Sequence, residues 1–372
     1  MSSRAKRGIA SNRSLRSFSS TATYQILPES IPSYLAIPES RVDAIRALER
    51  EFIPGRRVAL STHMNADGDG CGSEAALARL LAQRGMQVKI VNPTPWPELF
   101  SFLLGDDVRD ETGKGAAALR NIDLLIVLDI SDVKRLGVLA DTVRGLAVPK
   151  LVIDHHIASD EPPSNVIFSD VAACATGELI YDLARTLEMD ITPAIAQSLY
   201  TAILTDTGSF RFSNASPRCH AIAAELLDAG VDPENMYVRV YASAPPGRLR
   251  LLGEVLSTLG VDESIGLTWL SMSAGALEKY GVRQEDLDGI VEHARSIAGT
   301  RIALFFRDLG YGKVKVSFRS TGEVDVNAFA RQFGGGGHAK ASGALIVGSL
   351  DGVRDQVIAA AREFLCPQVV SA

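Results

Sequence analysis

The stretch HMNADGD, residues 63–69, directly follows the short apolar strand VALST, residues 58–62. It places a histidine and two aspartates where a buried strand is expected to end. Other apolar strands close in the same way, at Asp129, Asp154 and His155. In open parallel sheets, ligands bind beyond the carboxyl ends of the strands. The sequence therefore predicts one crevice that gathers these scattered polar residues.

The fold class follows from the order of the elements. Apolar strands alternate with helical patterns such as Glu74–Arg84 and Gly177–Leu187, which indicates parallel βαβ units. Strand patterns return after residue 261, in IGLTWLS, RIALFFRD and KVKVSFRS. We therefore predict an α/β protein with two domains, a parallel-sheet domain followed by a smaller α/β domain.

The predicted boundaries divide the chain into four parts. They are a basic tail over 1–40, a catalytic domain over 41–215, a helical linker over 216–260 and a second domain over 261–372. The first 28 residues are rich in serine and arginine and resemble a transit peptide, although a disordered tail has the same composition.

Composition excludes several classes of protein. The chain has 372 residues, 46% of them hydrophobic, and no run of about 18 apolar residues that would predict a membrane span. The net charge of −6 argues against a broad grip on long duplex nucleic acid but allows a local site for a short phosphate ligand. The four cysteines are scattered without a CxxC pair, so neither a zinc knot nor a disulfide framework is expected, and the location is predicted to be cytoplasmic.

Six residues form the predicted metal-ligand set: His63, Asp67, Asp69, Asp129, His155 and Asp206. Carboxylates and imidazoles suit Mn²⁺ or Mg²⁺ better than a thiolate-binding metal. Four aspartates packed together without cations would repel one another, and two divalent ions remove that repulsion. Asp129, at a central strand end, could bridge ions about 3.5–4 Å apart that hold a hydroxide for in-line attack on phosphorus. Alone, an Asp–Gly pair is often only a turn, so the prediction rests on the combination.

The glycines of this stretch support the same prediction. Gly68, Gly70 and Gly72 are expected to form a tight loop that turns several ligands inward. The helix that follows would offer its N-terminus to an anion.

Four segments resemble the ordered motifs of the DHH phosphoesterase superfamily: STHMNADGDGCGS (61–73), LIVLDISD (125–132), VIDHHIASD (152–160) and AILTDTGSFRFSN (202–214). The later segment FGGGGHAKASG, residues 333–343, is similar to the glycine-rich signature of the DHHA1 domain. The resemblance covers roughly residues 41–365 and keeps the motif order. One departure is Ala66, where the family often has proline.

The resemblance implies a role for each ligand. His63, Asp67 and Asp129 would hold one metal ion, and the other would be held by Asp69, Asp129, His155 and Asp206. Mn²⁺ is the expected metal, with Mg²⁺ or Co²⁺ as alternatives. The catalytic residues would be Asp129 with His156, which would contact the scissile phosphate, and Asp154, which would orient the histidines.

The DHHA1 resemblance implies that the second domain binds the nucleotide of the substrate, and its residues are compatible with a phosphate site. Successive N–H groups of a glycine run can form an anion-binding nest, to which basic side chains add charge. The predicted substrate-binding residues are Gly334, Gly335, Gly336, Gly337, His338, Lys340, Arg319 and Arg211. A flexible linker and, for Arg211, a surface salt bridge are the alternatives.

The expected function is hydrolysis of short oligoribonucleotides and linear dinucleotides such as pApA or pGpG, with removal of the 3′-phosphate of 3′-phosphoadenosine 5′-phosphate as a further activity. The alternatives are a cyclic dinucleotide phosphodiesterase, an inorganic pyrophosphatase and a non-catalytic nucleotide sensor. A homodimer is compatible with the resemblance.

Overall fold

A computed structural model of the chain describes residues 34–287, 289–337 and 339–365. The predictions for the tail before residue 34 and for His338 therefore lie outside the described residues. The chain divides into two compact units, one up to Met236 and one from Tyr237.

The first unit is built on a five-stranded parallel sheet with the strand order β2-β1-β3-β4-β5. Its strands are β1 (Arg57–Ser61), β2 (Gln87–Ile90), β3 (Leu124–Leu128), β4 (Lys150–Asp154) and β5 (Ile167–Ser169). Strand β3 is buried along its whole length, as an apolar run in the centre of a covered parallel sheet should be. The predicted parallel-sheet α/β architecture is confirmed.

The helices of this unit include α1 (Glu39–Glu49), α2 (Gly68–Gln83), α3 (Ala140–Gly145), α4 (Thr176–Thr186), α5 (Pro193–Asp206) and α6 (Pro217–Asp228). Short 3₁₀ helices span Glu98–Leu103, Thr112–Leu119 and Val133–Leu139. The strand order reverses direction at β1, between β2 and β3. The crevice beside such a reversal is where open α/β sheets bind ligands.

Helix α2 begins earlier than predicted, at Gly68 rather than at Glu74. Its glycines therefore belong to a helix N-terminus and not to a tight loop. A Cβ on Gly68 would lie 2.4 Å from the Thr205 side chain, and one on Gly72 would lie 2.4 Å from the Ser198 carbonyl oxygen. Close packing of α2 against α5 requires glycine here, and this packing cannot be read from local sequence.

The second unit contains a six-stranded mixed sheet with the order β10-β11-β9-β8-β7-β6. Its strands are β6 (Gly260–Asp262), β7 (Leu267–Met272), β8 (Ile302–Asp308), β9 (Lys313–Ser320), β10 (Gly336–Gly337) and β11 (Ala341–Val347). Its helices are α8 (Pro246–Leu256), α9 (Ala276–Tyr280), α10 (Ile290–Arg295), α11 (Val326–Arg331) and α12 (Leu350–Leu365), with a 3₁₀ helix at Gln284–Leu287. Apolar clusters lie on both faces of this sheet. Helix α7 (Pro233–Tyr241) contains the division between the two units.

Among the described residues, every helix is too short or too polar to cross a lipid bilayer.

Candidate metal centre

Parallel strands β1, β3 and β4 bring His63, Asp129 and Asp154 to one edge of the first sheet. Asp129 follows β3 directly and has a φ of 60°, a left-handed backbone conformation that is uncommon outside glycine. Its N–H donates to the Ile153 carbonyl at 3.0 Å, which ties the turn to β4. A strained residue held in this way is typical of a functional site.

One group of ligand candidates, which we name site A, consists of His63, Asp67 and Asp129. The His63 Nε2 atom lies 3.6 Å from Asp67 Oδ2 and 3.4 Å from Asp129 Oδ2. His63 is held in place through its other ring nitrogen, since Nδ1 lies 3.0 Å from the Met64 carbonyl oxygen. The ring therefore presents Nε2 to the two carboxylates.

A second group, site B, consists of Asp69, Asp129, His155 and Asp206. The His155 Nε2 atom lies 3.7 Å from Asp69 Oδ2, 3.6 Å from Asp129 Oδ1 and 3.7 Å from Asp206 Oδ2. Asp129 thus takes part in both sites, with Oδ2 toward His63 and Oδ1 toward His155. The structure brings together all six residues of the predicted ligand set.

The two histidine nitrogens indicate what these sites can hold. Nε2 of His63 and Nε2 of His155 are both buried and have no hydrogen-bond partner within the part of the chain that the structure describes. Buried polar nitrogens are rarely left in this state, and here each is aimed at a group of carboxylate oxygens. A donor set of imidazole nitrogens and carboxylate oxygens fits a divalent cation such as Mn²⁺ or Mg²⁺.

The electrostatics of the cluster favour bound cations. Burial, together with the negative charges of Asp129 and Asp206, raises the pKa of Asp69 well above its usual range. Burial also raises the pKa of Asp206 to about 6, although His155 lowers it. Burial disfavours charge on His63, but the neighbouring Asp129 and Asp67 more than offset this and raise its pKa to about 10. The raised pKa values of Asp69, Asp206 and His63 all reflect an excess of negative charge in the cluster, which divalent ions would offset.

His156 is oriented by Asp154, as the resemblance implied for the histidines of this motif. Its Nδ1 atom lies 2.8 Å from Asp154 Oδ1, and this hydrogen bond, opposed by burial, raises the pKa of His156. The neighbouring His155 has a different partner, since its Nδ1 lies 3.3 Å from the Ala173 carbonyl oxygen. Asp154 therefore contacts one of the two histidines in the described structure.

Polar residues outside the predicted ligand set also contact the ligands, and Thr176 and Asn214 among them were not identified from the sequence. The Thr176 hydroxyl donates to Asp129 Oδ1 at 3.1 Å, and Asn214 Nδ2 donates to Asp206 Oδ2 at 3.3 Å. Thr176 stands at the start of a predicted helix, and Asn214 ends the fourth motif. A threonine at that position usually signals only a helix cap, so its contact with Asp129 was not predictable.

A buried acid lies behind the centre on α2. Glu74 is fully buried and accepts a hydrogen bond from Asn92 Nδ2 at 2.8 Å, while Asn92 Oδ1 accepts from the Thr62 N–H at 2.9 Å. Burial raises the pKa of Glu74 to about 8, although the bond from Asn92 lowers it. Its other carboxyl oxygen, Oε1, has no hydrogen-bond partner among the described residues. This raised pKa favours the protonated acid at neutral pH, and Glu74 lies in a chain of contacts that leads to the end of β1.

Glu74→Gln is expected to flatten the pH dependence of stability. The unfolded chain loses this proton near pH 4.5, and the folded protein keeps it until about pH 8. Since the folded state binds the extra proton, the free energy of unfolding falls as pH rises from about 4.5 to 8. Glutamine mimics the protonated acid, so the variant should be more stable than wild type above pH 8. Urea unfolding in EDTA at several pH values measures the free energy of unfolding, and Glu39→Gln, at an exposed site, is the control. Plots of this free energy against pH that run parallel for Glu74→Gln and wild type would contradict the prediction.

The predicted substrate-binding residues of the second unit lie on β9, β10 and the adjoining segments. Arg319 on β9 pairs with Glu292 at 3.3 Å. Lys340 donates to the carbonyl oxygens of Gly322 and Val324. The side chain of His338 is outside the described residues.

The four glycines do not present a free row of donors. The N–H groups of Gly334 and Gly335 donate to the carbonyls of Arg331 and Ala330, and the N–H of Gly337 donates to Asn327 Oδ1 at 3.1 Å. Gly336 and Gly337 form strand β10, paired with β11. Three of the four N–H groups thus have protein acceptors, because the run packs as a turn and a short strand.

Arg211 lies in the loop that follows α5. Its Nε donates to the Gly208 carbonyl at 2.6 Å, and the residue is exposed. The surface ion pair considered for it from the sequence is not among the contacts of the described residues.

Comparisons with known proteins agree with this architecture. The N-terminal domain of the DHH family matches residues 57–203, and the DHHA1 domain matches residues 269–365. The chain is 34% identical over 309 residues to the bifunctional oligoribonuclease and PAP phosphatase NrnA of Thermus thermophilus, covering 83% of this chain and 90% of that one. The protein of the same name from Bacillus subtilis is 30% identical over 295 residues, covering 78% and 89%.

A solved structure shows the same fold over most of the chain. The exopolyphosphatase-related protein from Bacteroides fragilis superimposes with a TM-score of 0.79 and 26% identity, covering 87% of this chain and 95% of that one. Together with the acid and histidine cluster, these matches define a two-domain phosphoesterase, a hydrolase of phosphoester bonds. The chain belongs to the DHH family and carries a C-terminal DHHA1 domain.

Proposed function

We propose that the protein is a metal-dependent phosphodiesterase that hydrolyses short oligoribonucleotides and linear dinucleotides such as pApA and pGpG. The observation that carries this proposal is the position of Asp129. Its two carboxyl oxygens face the unpartnered nitrogens of His63 and His155, at 3.4 and 3.6 Å. A carboxylate shared in this way suits a pair of cations, the arrangement used for displacement at phosphorus.

The residues of site A would hold one divalent ion and those of site B the other, with Mn²⁺ as the first candidate. When bound, such ions supply an activated water and positive charge that offsets the charge of the phosphate. The protein's own contribution is to fix the ligands. Asp129 is fixed by its turn, and Asp69 is buried in the first turn of α2.

His156 is proposed to contact the phosphate that is cleaved. Its Nδ1 is hydrogen-bonded to Asp154, so Nε2 is the ring nitrogen that can donate a hydrogen bond to a substrate oxygen. About a third of the side chain is exposed, which allows that contact. A hydrogen bond from this nitrogen would stabilise negative charge that develops on the phosphate or on the leaving oxygen.

The substrate class is inferred from the second domain and the relatives. Relatives that match over most of their length are named oligoribonucleases, which supports short RNA as substrate. Arg319, Lys340 and the glycine-rich segment are proposed to contact the nucleotide, with Arg211 as a further phosphate ligand. The net charge of −6 agrees with a local site for a short anion rather than a long track.

A second activity, removal of the 3′-phosphate from 3′-phosphoadenosine 5′-phosphate, is favoured by one observation. The same relatives are named as PAP phosphatases. Because cleavage of that phosphomonoester needs the same cation pair and nucleotide contacts, one site would serve both reactions.

The test is a substrate panel in the presence of Mn²⁺: pApA, pGpG, an RNA pentanucleotide, a long single-stranded RNA, 3′-phosphoadenosine 5′-phosphate, cyclic di-AMP and pyrophosphate. We expect turnover of the linear dinucleotides, the pentanucleotide and the phosphoadenosine substrate. We expect kcat/KM to be at least about tenfold lower for the long strand, cyclic di-AMP and pyrophosphate. The same panel in EDTA is the control. Equal rates on the long strand would contradict the preference for short substrates, and no turnover of any nucleotide would contradict the function.

A further inference from the structure

One short segment of the first unit contacts most of site B. We name residues 173–177, sequence ACATG, the support segment; it leads into α4. Backbone N–H groups of Thr176 and Gly177 donate to Asp69 Oδ2 and Oδ1, at 2.7 and 2.9 Å. Both oxygens of Asp69 are thereby fixed by the N-terminus of a helix, which also favours the negative charge.

The same segment contacts two further ligands of site B. The Thr176 hydroxyl donates to Asp129 Oδ1 at 3.1 Å. The Ala173 carbonyl oxygen lies 3.3 Å from His155 Nδ1, so it can accept a hydrogen bond from a protonated Nδ1, the tautomer in which Nε2 is free to bind a metal. A hydrogen bond of this kind fixes both the tautomer and the direction of the ring.

The last ligand of site B is reached through Asn214. Its Nδ2 donates to the Cys174 carbonyl at 2.9 Å and to Asp206 Oδ2 at 3.3 Å. All four ligands of site B are therefore connected to five consecutive residues.

The support segment is itself held by a buried network of charged residues. The Cys174 N–H donates to Glu178 Oε2 at 2.9 Å, and Glu178 Oε1 accepts from Arg41 at 2.6 Å. Glu178 and Arg41 are both buried. Buried, charge-assisted contacts of this kind keep a turn rigid.

Site A is supported by other contacts. His63 bonds to the Met64 carbonyl, and Asp67 Oδ1 accepts from the N–H groups of Asp69 and Gly70, each at 3.1 Å. Apart from the shared Asp129, the ligands of site A are thus held by hydrogen bonds to residues within three positions of them in the chain. The two sites have different supports.

We propose that the support segment, through the Thr176 hydroxyl, is the positioning element of site B and sets the affinity of that site separately from site A. The proposal rests on the two-ion centre of the proposed function. Residues that orient metal ligands typically contribute about 10- to 100-fold to metal affinity. Thr176 acts through Asp129 and is therefore a positioning residue and not a catalytic one.

The experiment is a Mn²⁺ titration without substrate, by electron paramagnetic resonance of free Mn²⁺ and by calorimetry. Two backgrounds separate the sites: Asp67→Ala weakens site A, and Asp206→Ala weakens site B. Thr176→Val should raise the Kd about tenfold in the Asp67→Ala background and clearly less in the Asp206→Ala background. Thr176→Ser keeps the hydroxyl and should restore the Kd of the Asp67→Ala parent in that background. Thr201→Val, which deletes a buried hydroxyl bonded to the Gln197 carbonyl at 2.8 Å, is the matched control.

Equal weakening in both backgrounds, unchanged Kd values in Thr176→Val, or failure of Thr176→Ser to restore binding would each overturn the proposal. Circular dichroism in EDTA verifies that the variants fold. If Thr176→Val does not, Thr176→Ala gives the same comparison, since it removes the hydroxyl with less change in shape. Wild-type protein that binds fewer than two ions would instead contradict the proposed two-ion function. The two failures are thus distinguishable.

Discussion

Asp129→Asn is expected to lower hydrolysis of every phosphoester substrate by at least about 10³-fold, since cation-pair catalysis supplies several kcal/mol of the barrier reduction. The variant replaces one carboxyl oxygen by an N–H₂ group, which cannot bind a metal and would face His63 or His155. Asparagine tolerates the left-handed backbone at this position well, so the turn should keep its shape. The measurements are pApA hydrolysis and the number of Mn²⁺ ions bound.

The matched control is Asp132→Asn, three residues further along the same loop. Asp132 Oδ1 accepts from the Lys134 N–H at 2.8 Å and belongs to neither site. Its substitution should leave hydrolysis within about twofold of wild type, as expected for a residue outside the reacting centre. If Asp129→Asn retained wild-type hydrolysis or bound two ions with unchanged Kd, the shared-carboxylate account would be wrong.

Arg41→Met is expected to destabilise the first unit by about 3–5 kcal/mol, the usual cost of removing one partner of a buried ion pair. Arg41 is 4% exposed. Its guanidinium donates to Glu178 and Asp182 at 2.6 and 2.7 Å and to Asp170 at 2.7 Å. Arg218 also contacts Glu178 and Asp182, so the variant leaves two buried acids with a single cation.

This loss should appear as a fall in Tm of roughly 10 °C for a unit of this size, measured in EDTA. Arg46→Met is the control, because Arg46 is exposed and pairs with Glu49 on the surface of the same helix. Surface pairs of this kind contribute at most about 1 kcal/mol. Equal Tm values for Arg41→Met and Arg46→Met would show that the buried network does not stabilise the fold. Because Glu178 also holds the support segment, Arg41→Met should weaken Mn²⁺ binding at site B as well.

The sequence predicted those parts of the molecule that depend on local pattern. The apolar run Leu124–Leu128 predicts a buried central strand, as the structure shows. The alternation of such strands with helices predicts parallel connections between the strands. Parallel strands end at a common edge, so the positions of Asp129 and His155 in the sequence were enough to place them together. The α/β class and the convergence of His63, Asp129 and His155 followed from this geometry.

Contacts between residues that are distant in the chain could be seen only in the folded structure. The start of α2 at Gly68 depends on how closely α5 approaches, and the hydroxyl of Thr176 meets Asp129 across 47 positions of sequence. The glycine run at 334–337 has the composition of a nest, but most of its N–H groups donate within the turn and strand that it forms. The physical reason is common to these cases. Hydrophobic periodicity and strand ends depend on which neighbouring residues are apolar and which are polar, and this can be read from the sequence. A hydrogen bond instead requires a donor–acceptor distance correct to within a few tenths of an ångström, which only the packed chain fixes.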